Sequence, residues 1–194
     1  DLVGMEGLSL MFYDEPDLIE AMMDTLLELD LKLVDALFDT YVPDAVCLWE
    51  DMAYNHGSLL GIHHVRDLMA PRCRALTDRL RANGVATILL DSDGRIDELI
   101  PVWLECGVDG FVPMEAQAGI DVAAYRDRYP NMLMMGGIDK KALAAGRSAI
   151  DAEVEKVRKA IASGGYIPFF DHGLPHDVRW DDFVYFVEQM KAFR

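Results

Sequence analysis

The sequence predicts an α/β fold in which parallel strands alternate with helices, and three observations carry that prediction. Short apolar runs recur that are continuous rather than alternating, such as Ala86 to Leu90, which is how strands buried on both faces read. Between the runs lie stretches whose apolar residues step by three or four, the helical period. Each run ends abruptly in acidic or histidine side chains, as in Asp91-Ser92-Asp93-Gly94. In α/β folds the carboxyl ends of the strands are where ligands bind.

The elements follow in order. Residues 1–13, with Gly4 and Gly7, read as a loop. Asp14-Glu15-Pro16-Asp17 opens a helix, because an Asp cap, Pro in the first turn and further acids suit a helix N-terminus. Leu18, Ile19, Met22, Leu26, Leu29, Leu33 and Leu37 are expected to form its buried face, and the helix to run to about Thr40. The methionines read as core filler. Ala45 to Trp49 is the first strand, ending in Glu50-Asp51 and followed by Asn55-His56-Gly57. Ile62 to Ala82 is a helix whose arginines (66, 72, 74, 79, 81) are expected on a solvated outer face. His63 and His64, near its start, suit a surface or capping role.

The second strand ends in Asp91 and Asp93, and its helix runs from Ile96 to Cys106, with Pro101 early and Gly107 as the stop. Asp109 to Met114 is the third strand, ending in Glu115, with a short helix from Asp121 to Tyr129. Asp97 and Asp121 are read as helix caps. Met132 to Met135 is the fourth strand, leading into Gly136-Gly137-Ile138-Asp139-Lys140, and Ala149 to Ala162 is its helix. Tyr166 to Phe170 is the fifth, ending in Asp171-His172-Gly173, and Trp180 to Phe193 is the last helix.

One helix followed by five βα units implies a parallel sheet with right-handed crossovers. Convergence of so many strand-end acids on one rim favours a (β/α)8 barrel of the TIM type over a dinucleotide-binding fold, for which no GxGxxG follows a strand. A closed barrel needs eight units, so the expectation is a partial barrel, a single domain over residues 1–194. Asp1 as first residue fits a trimmed or partial chain.

Composition narrows the function. The chain has 194 residues, 52% hydrophobic and 27% charged, as a soluble globular protein does. A formal charge of −16 argues against nucleic acid and anionic membranes as partners and is compatible with binding cations. No apolar run reaches the roughly 20 residues of a membrane span, and no signal pattern opens the chain. Cys47, Cys73 and Cys106 lack CxxC spacing and read as buried thiols of a reducing, cytoplasmic compartment.

The rim set is Glu50, Asp51, His56, Asp91, Asp93, Glu115, Asp139, Asp171 and His172. Neighbouring carboxylates raise each other's pKa unless a cation compensates. A divalent metal, a cation such as Lys140, Arg95 or a charged substrate, or solvation with helix capping would each resolve the repulsion. The Asp91 to Gly94 turn is not an EF-hand loop, since its glycine comes too early and no Glu closes the frame.

Trp49-Glu50-Asp51 with Asn55-His56-Gly57, Asp91-Ser92-Asp93-Gly94, Gly136-Gly137-Ile138-Asp139, and Gly164-Gly165-Tyr166-Ile167-Pro168 leading to Asp171-His172-Gly173 together resemble the uroporphyrinogen decarboxylase superfamily over nearly the whole chain. The resemblance implies a (β/α)8 barrel of which this chain supplies the third helix through the eighth. It also implies one of two activities. True uroporphyrinogen decarboxylases act on a tetrapyrrole without metal or cofactor, in porphyrin biosynthesis, and their His-Gly and Gly-Asn-Leu-Asp correspond to His172-Gly173 and Gly136 to Asp139. Their key aspartate and arginines lie in the part of the barrel this chain lacks.

The other branch, the corrinoid-dependent methyltransferases, binds zinc through His-x-Cys and a later Cys, positions that correspond to Asp91, Asp93 and the vicinity of His172. The Asp, Asp, His set suits a harder metal or an oxygen substrate better than a thiolate, so the implied cation is zinc or a harder divalent metal. The first reading is therefore methyl transfer from a small O- or N-methyl donor to a corrinoid carried by a partner protein. Asp91, Asp93 and His172 would be metal ligands, with His172, Glu50, Glu115 and Asp139 catalytic and Asp51, His56 and Asp171 substrate-binding. The alternatives are uroporphyrinogen decarboxylation, and a non-catalytic partial barrel that binds a corrinoid or a partner chain. A homo-oligomer or a missing barrel half are the expected protein partners.

Overall fold

A computed structural model describes residues 3–193; Asp1 lies outside it. The elements are α1 (Gly4–Asp14), α2 (Pro16–Phe38), β1 (Ala45–Trp49), β2 (Ala53–Tyr54), β3 (Gly57–Ser58), α3 (Ile62–His64), a π turn (Val65–Met69), α4 (Ala70–Ala82), β4 (Thr87–Asp91) and α5 (Ile100–Glu105). Then come β5 (Gly110–Val112), a 3₁₀ turn (Ala116–Ala118), α6 (Val122–Arg128), β6 (Leu133–Ile138), α7 (Lys140–Ala144), α8 (Arg147–Ala162), β7 (Tyr166–Phe170) and α9 (Trp180–Lys191). Among the described residues no helix is long and apolar enough to cross a membrane.

The described residues fall into two compact units. The first comprises residues 3–47, Ser58–Ile88 and Asp97–Val108. Its first segment is helical, not the expected loop. Leu8, Met11 and Phe12 have helical spacing that the two glycines disguise, and Phe12 is buried with its ring 5.0 Å from that of His64. His64 is thus a packing residue, and its burial lowers its pKa.

Pro16 opens α2 as expected, but the buried face differs from the predicted one. Ile19 is buried, and Met23, Leu27, Leu31, Val34 and Phe38 are half-buried, whereas Leu18, Leu26, Leu29, Leu33 and Leu37 remain 47–59% exposed. The reason lies in charge. Arg72 binds Asp24 at 2.8 Å and Arg79 binds Asp35 at 2.7 Å, so the acidic side of α2 is turned towards α4. Arg66, Arg74 and Arg79 are exposed as expected, and Arg66 pairs with Glu105 at 3.1 Å, so the solvated face also links helices. The π turn precedes Pro71, whose missing N–H and bulky ring disfavour a regular turn there.

The second unit comprises Leu48–Gly57, Leu89–Ile96 and residues 109–193. It carries most of the five-stranded sheet, of order β1-β4-β5-β6-β7, with β4/β5, β5/β6 and β6/β7 parallel. The fold is α/β, and the five βα units and their parallel order are those of a partial barrel. β2 and β3 pair as a small ribbon that the sequence did not disclose.

Beneath the sheet α8 buries Ile150, Val154 and Val157, a 4,3 spacing that places them on one stripe. Asp121 caps α6 as expected, accepting from the Ala123 and Ala124 amides. α5 starts at Ile100 rather than Ile96, so its N-cap position falls on Leu99 and not on Asp97. Arg126 is 5% exposed and donates to the carbonyls of Pro130, Met132 and Gly165, joining the starts of β6 and β7.

β6 runs three residues past its predicted end, through Gly136 and Gly137. At Gly136 φ is +108° and a Cβ would lie 1.6 Å from the Pro113 carbonyl oxygen, so only glycine allows β6 to continue beside β5. Tyr166 donates from its buried hydroxyl to the Gly136 carbonyl at 2.7 Å and fixes this crossing.

Candidate functional site at the carboxyl ends of the strands

All nine rim residues named from the sequence belong to the second unit, and the fold brings some of them together. The centre is the loop after β4. The Asp93 amide donates to Asp51 Oδ1 at 3.2 Å, and the Gly94 amide donates to Glu115 Oε2 at 2.7 Å. Gly94 has φ +80°, and a Cβ there would meet the Tyr54 amide nitrogen at 2.9 Å, so the turn needs glycine to fold against the loop after β1. Trp49, which is 80% exposed, donates from Nε1 to Asp51 Oδ2 at 2.9 Å and holds that carboxylate over the turn.

His172, at the end of β7, places Nε2 3.3 Å from Asp93 Oδ1. One ligand atom each from Asp93, Glu115 and His172 lie within 4.8 Å of one another. This is the group of the right type and spacing for a metal ion. Asp91 stands beside it rather than in it. Its carboxyl is pushed above the usual carboxylate range, first by burial, then by the charges of Asp93 and Asp51, with His172 opposing. The partners that the described residues supply to these acids are backbone amides, an indole and an imidazole.

The other named residues are not members of this group. Glu50 turns back to accept from the Met52 amide at 2.5 Å. His56 is exposed on the β2–β3 turn with its ring edge-on to Tyr54. Asp139 caps α7 through Lys141 N at 2.9 Å and accepts from Gln117 Nε2 at 2.7 Å, while its own amide donates to Glu153. Asp171 is wholly buried, with Lys140 Nζ 3.5 Å from Oδ1 and no hydrogen bond to either oxygen among the described residues. Lys140, named from the sequence as a possible counter-cation, stands by Asp171, whereas Gln117, Glu153 and Tyr166 were not singled out as site residues. No local pattern marks them, because each gains its role from a partner on another strand end.

Fold and site together define a barrel-type α/β protein with a carboxylate and histidine centre at the carboxyl ends of its strands. The model of the uroporphyrinogen decarboxylase (URO-D) family matches residues 1–193. The chain belongs to that family, whose members are enzymes of a decarboxylase and methyltransferase superfamily built on an eight-stranded barrel. A comparison with curated proteins finds no match.

Proposed function

We propose that this chain works in methyl transfer, binding a divalent cation through Asp93, Glu115 and His172 and presenting a small O- or N-methyl donor to a corrinoid on a partner protein. The observation that supports it is the three-residue group within 4.8 Å, beside two further carboxylates that carry no lysine or arginine hydrogen bond among the described residues. Two carboxylates and an imidazole are a mixed O and N donor set, which suits zinc or a harder divalent ion and leaves positions open for substrate. A cation bound there would supply Lewis-acid polarisation of the donor's heteroatom.

The chain's own residues do the rest. Asp51 anchors the turn that carries Asp93, and the Gly94 amide fixes one oxygen of Glu115. Asp91, which burial and then the charges of Asp93 and Asp51 push above the usual carboxylate range, stands beside the group as a further carboxylate.

The test is titration of the purified chain with zinc and manganese, followed by demethylation assays with cob(I)alamin and candidate donors. Stoichiometric binding weakened at least about tenfold by Asp93→Asn and by Glu115→Gln is expected. Binding unaffected by either change, or none at all, overturns the site. Conversion of uroporphyrinogen to coproporphyrinogen would establish the second reading, decarboxylation, which the family description favours. The acidic rim is a poor receptor for a polycarboxylate, which ranks that reading lower.

A further inference from the structure

His172 reaches the rim group from a loop, since β7 ends at Phe170. The Asp171 amide donates to the Ile138 carbonyl at 3.1 Å, and the next backbone hydrogen bond along the described chain runs from Val178 to Pro175. Gly173 follows in open space, with nothing within 4 Å of a Cβ. The imidazole meets Asp93 Oδ1 through Nε2 at 3.3 Å, and its Nδ1 is buried with no hydrogen-bond partner among the described residues. Hydrogen bonds of its own therefore do little to fix where the ring stands.

The side chain before it is anchored instead. The Asp171 side chain is 0% exposed, and neither carboxylate oxygen has a hydrogen bond among the described residues. A carboxylate buried in this way is costly unless an opposite charge stands beside it. Lys140 Nζ supplies that charge at 3.5 Å. Lys140 is the first residue of α7 and has a well-tied base. Asp139 accepts from the Lys141 amide at 2.9 Å and from Gln117 Nε2 at 2.7 Å, and its own amide donates to Glu153 at 3.1 Å. The end of β7 is thus held to the end of β6 twice, once by main chain and once by charge.

We infer that Lys140 and Asp171 are positioning residues for the rim centre: their buried ion pair sets the end of β7 so that His172 meets Asp93 and Glu115. The inference rests on the reading of that group as a cation site, and every residue it uses lies in the second unit. Asp171 and His172 share a peptide unit, so a shift of the buried carboxylate carries the imidazole with it. Without the ammonium, the carboxylate gains by moving towards water, and His172 leaves Asp93. Residues that orient metal ligands from behind change metal affinity by about 10–100-fold when they are replaced.

The test uses the whole chain labelled with 15N-histidine, the His172 ring signals being assigned by their loss in His172→Gln. Lys140→Met and Asp171→Asn should both move those signals in the cation-free chain, and Lys140→Arg should leave them near their original positions. Zinc binding, measured by calorimetry, should weaken about tenfold in the first two variants and stay near that of the unaltered chain in Lys140→Arg. Asp171→Asn keeps the buried shape, so the test stands even where Lys140→Met does not fold. Val157→Ala, a core truncation on α8, is the control for lost stability and should change neither readout. Ring signals unmoved in Asp171→Asn, or moved as far in Val157→Ala, overturn the inference. If the unaltered chain takes up no zinc, the cation reading falls, and the ring signals alone decide whether the ion pair positions His172.

Discussion

Replacing Gly136 by alanine tests how the strand ends are held in place. Its backbone stands at φ +108°, where an L side chain costs roughly 1–2 kcal/mol. The new Cβ would sit 1.6 Å from the Pro113 oxygen, which must retreat by about 1.4 Å to reach even the 3.0 Å limit of real contacts. That oxygen accepts the Gly137 amide at 3.0 Å, so the retreat also breaks a β5–β6 link. Overpacking of this kind adds about 1–3 kcal/mol, and the lost bond about 1 kcal/mol. A total loss of roughly 3–6 kcal/mol follows, a large part of a domain's stability.

Gly119 is the control. It has φ +87° with nothing within 4 Å of a Cβ, so Gly119→Ala carries the backbone cost alone. Urea unfolding of both variants gives the difference. Because Pro113 lies two residues before Glu115, Gly136→Ala should weaken cation binding as well. Losses that are equal in the two variants, or a Gly136→Ala loss under about 1 kcal/mol, would refute the close-approach argument.

Asp91→Asn should stabilise the chain at pH 7 by a few tenths to about 1 kcal/mol, since it removes a charge among like charges. A carboxyl raised in the folded state contributes stability below its unfolded pKa and loses it as pH rises, so the variant's advantage should shrink as pH falls towards 4. A gain that grows on acidification in parallel unfolding curves would contradict the assignment. Lys140→Met leaves Asp171 buried and uncompensated and should cost about 3–5 kcal/mol, most of it recovered in the double variant with Asp171→Leu; an additive cycle would deny the pairing. Ile19→Ala should cost about 2–5 kcal/mol while Leu29→Gln costs under about 1, the reverse of what the spacing of α2 alone would rank; thermal denaturation of the two decides it.

Much of this architecture was legible because it rests on local chemistry. Continuous apolar runs gave the five strands of the sheet, Pro16 and Asp121 marked helix starts, and strand-end acids marked the rim. α1 was missed because Gly4 and Gly7 outweighed a short apolar period, and α7 because its first residues read as part of the strand end. The rim residues all lie in the second unit, but which of them group together could not be read from the sequence. Asp139 and Glu50 satisfy nearby backbone amides, whereas Asp93, Glu115 and His172 come from three different strand ends and converge only when β4, β5 and β7 take their places in the sheet.

The sequence by itself determined the α/β alternation, the family resemblance and the types of residue at the rim, since period and composition act over a few residues at a time. Only the tertiary structure decided which acids share a charge environment and which face of α2 is turned towards α4. Those outcomes depend on ion pairs, close backbone approach and strand order, which are set between segments distant in the chain and leave no mark on its local pattern.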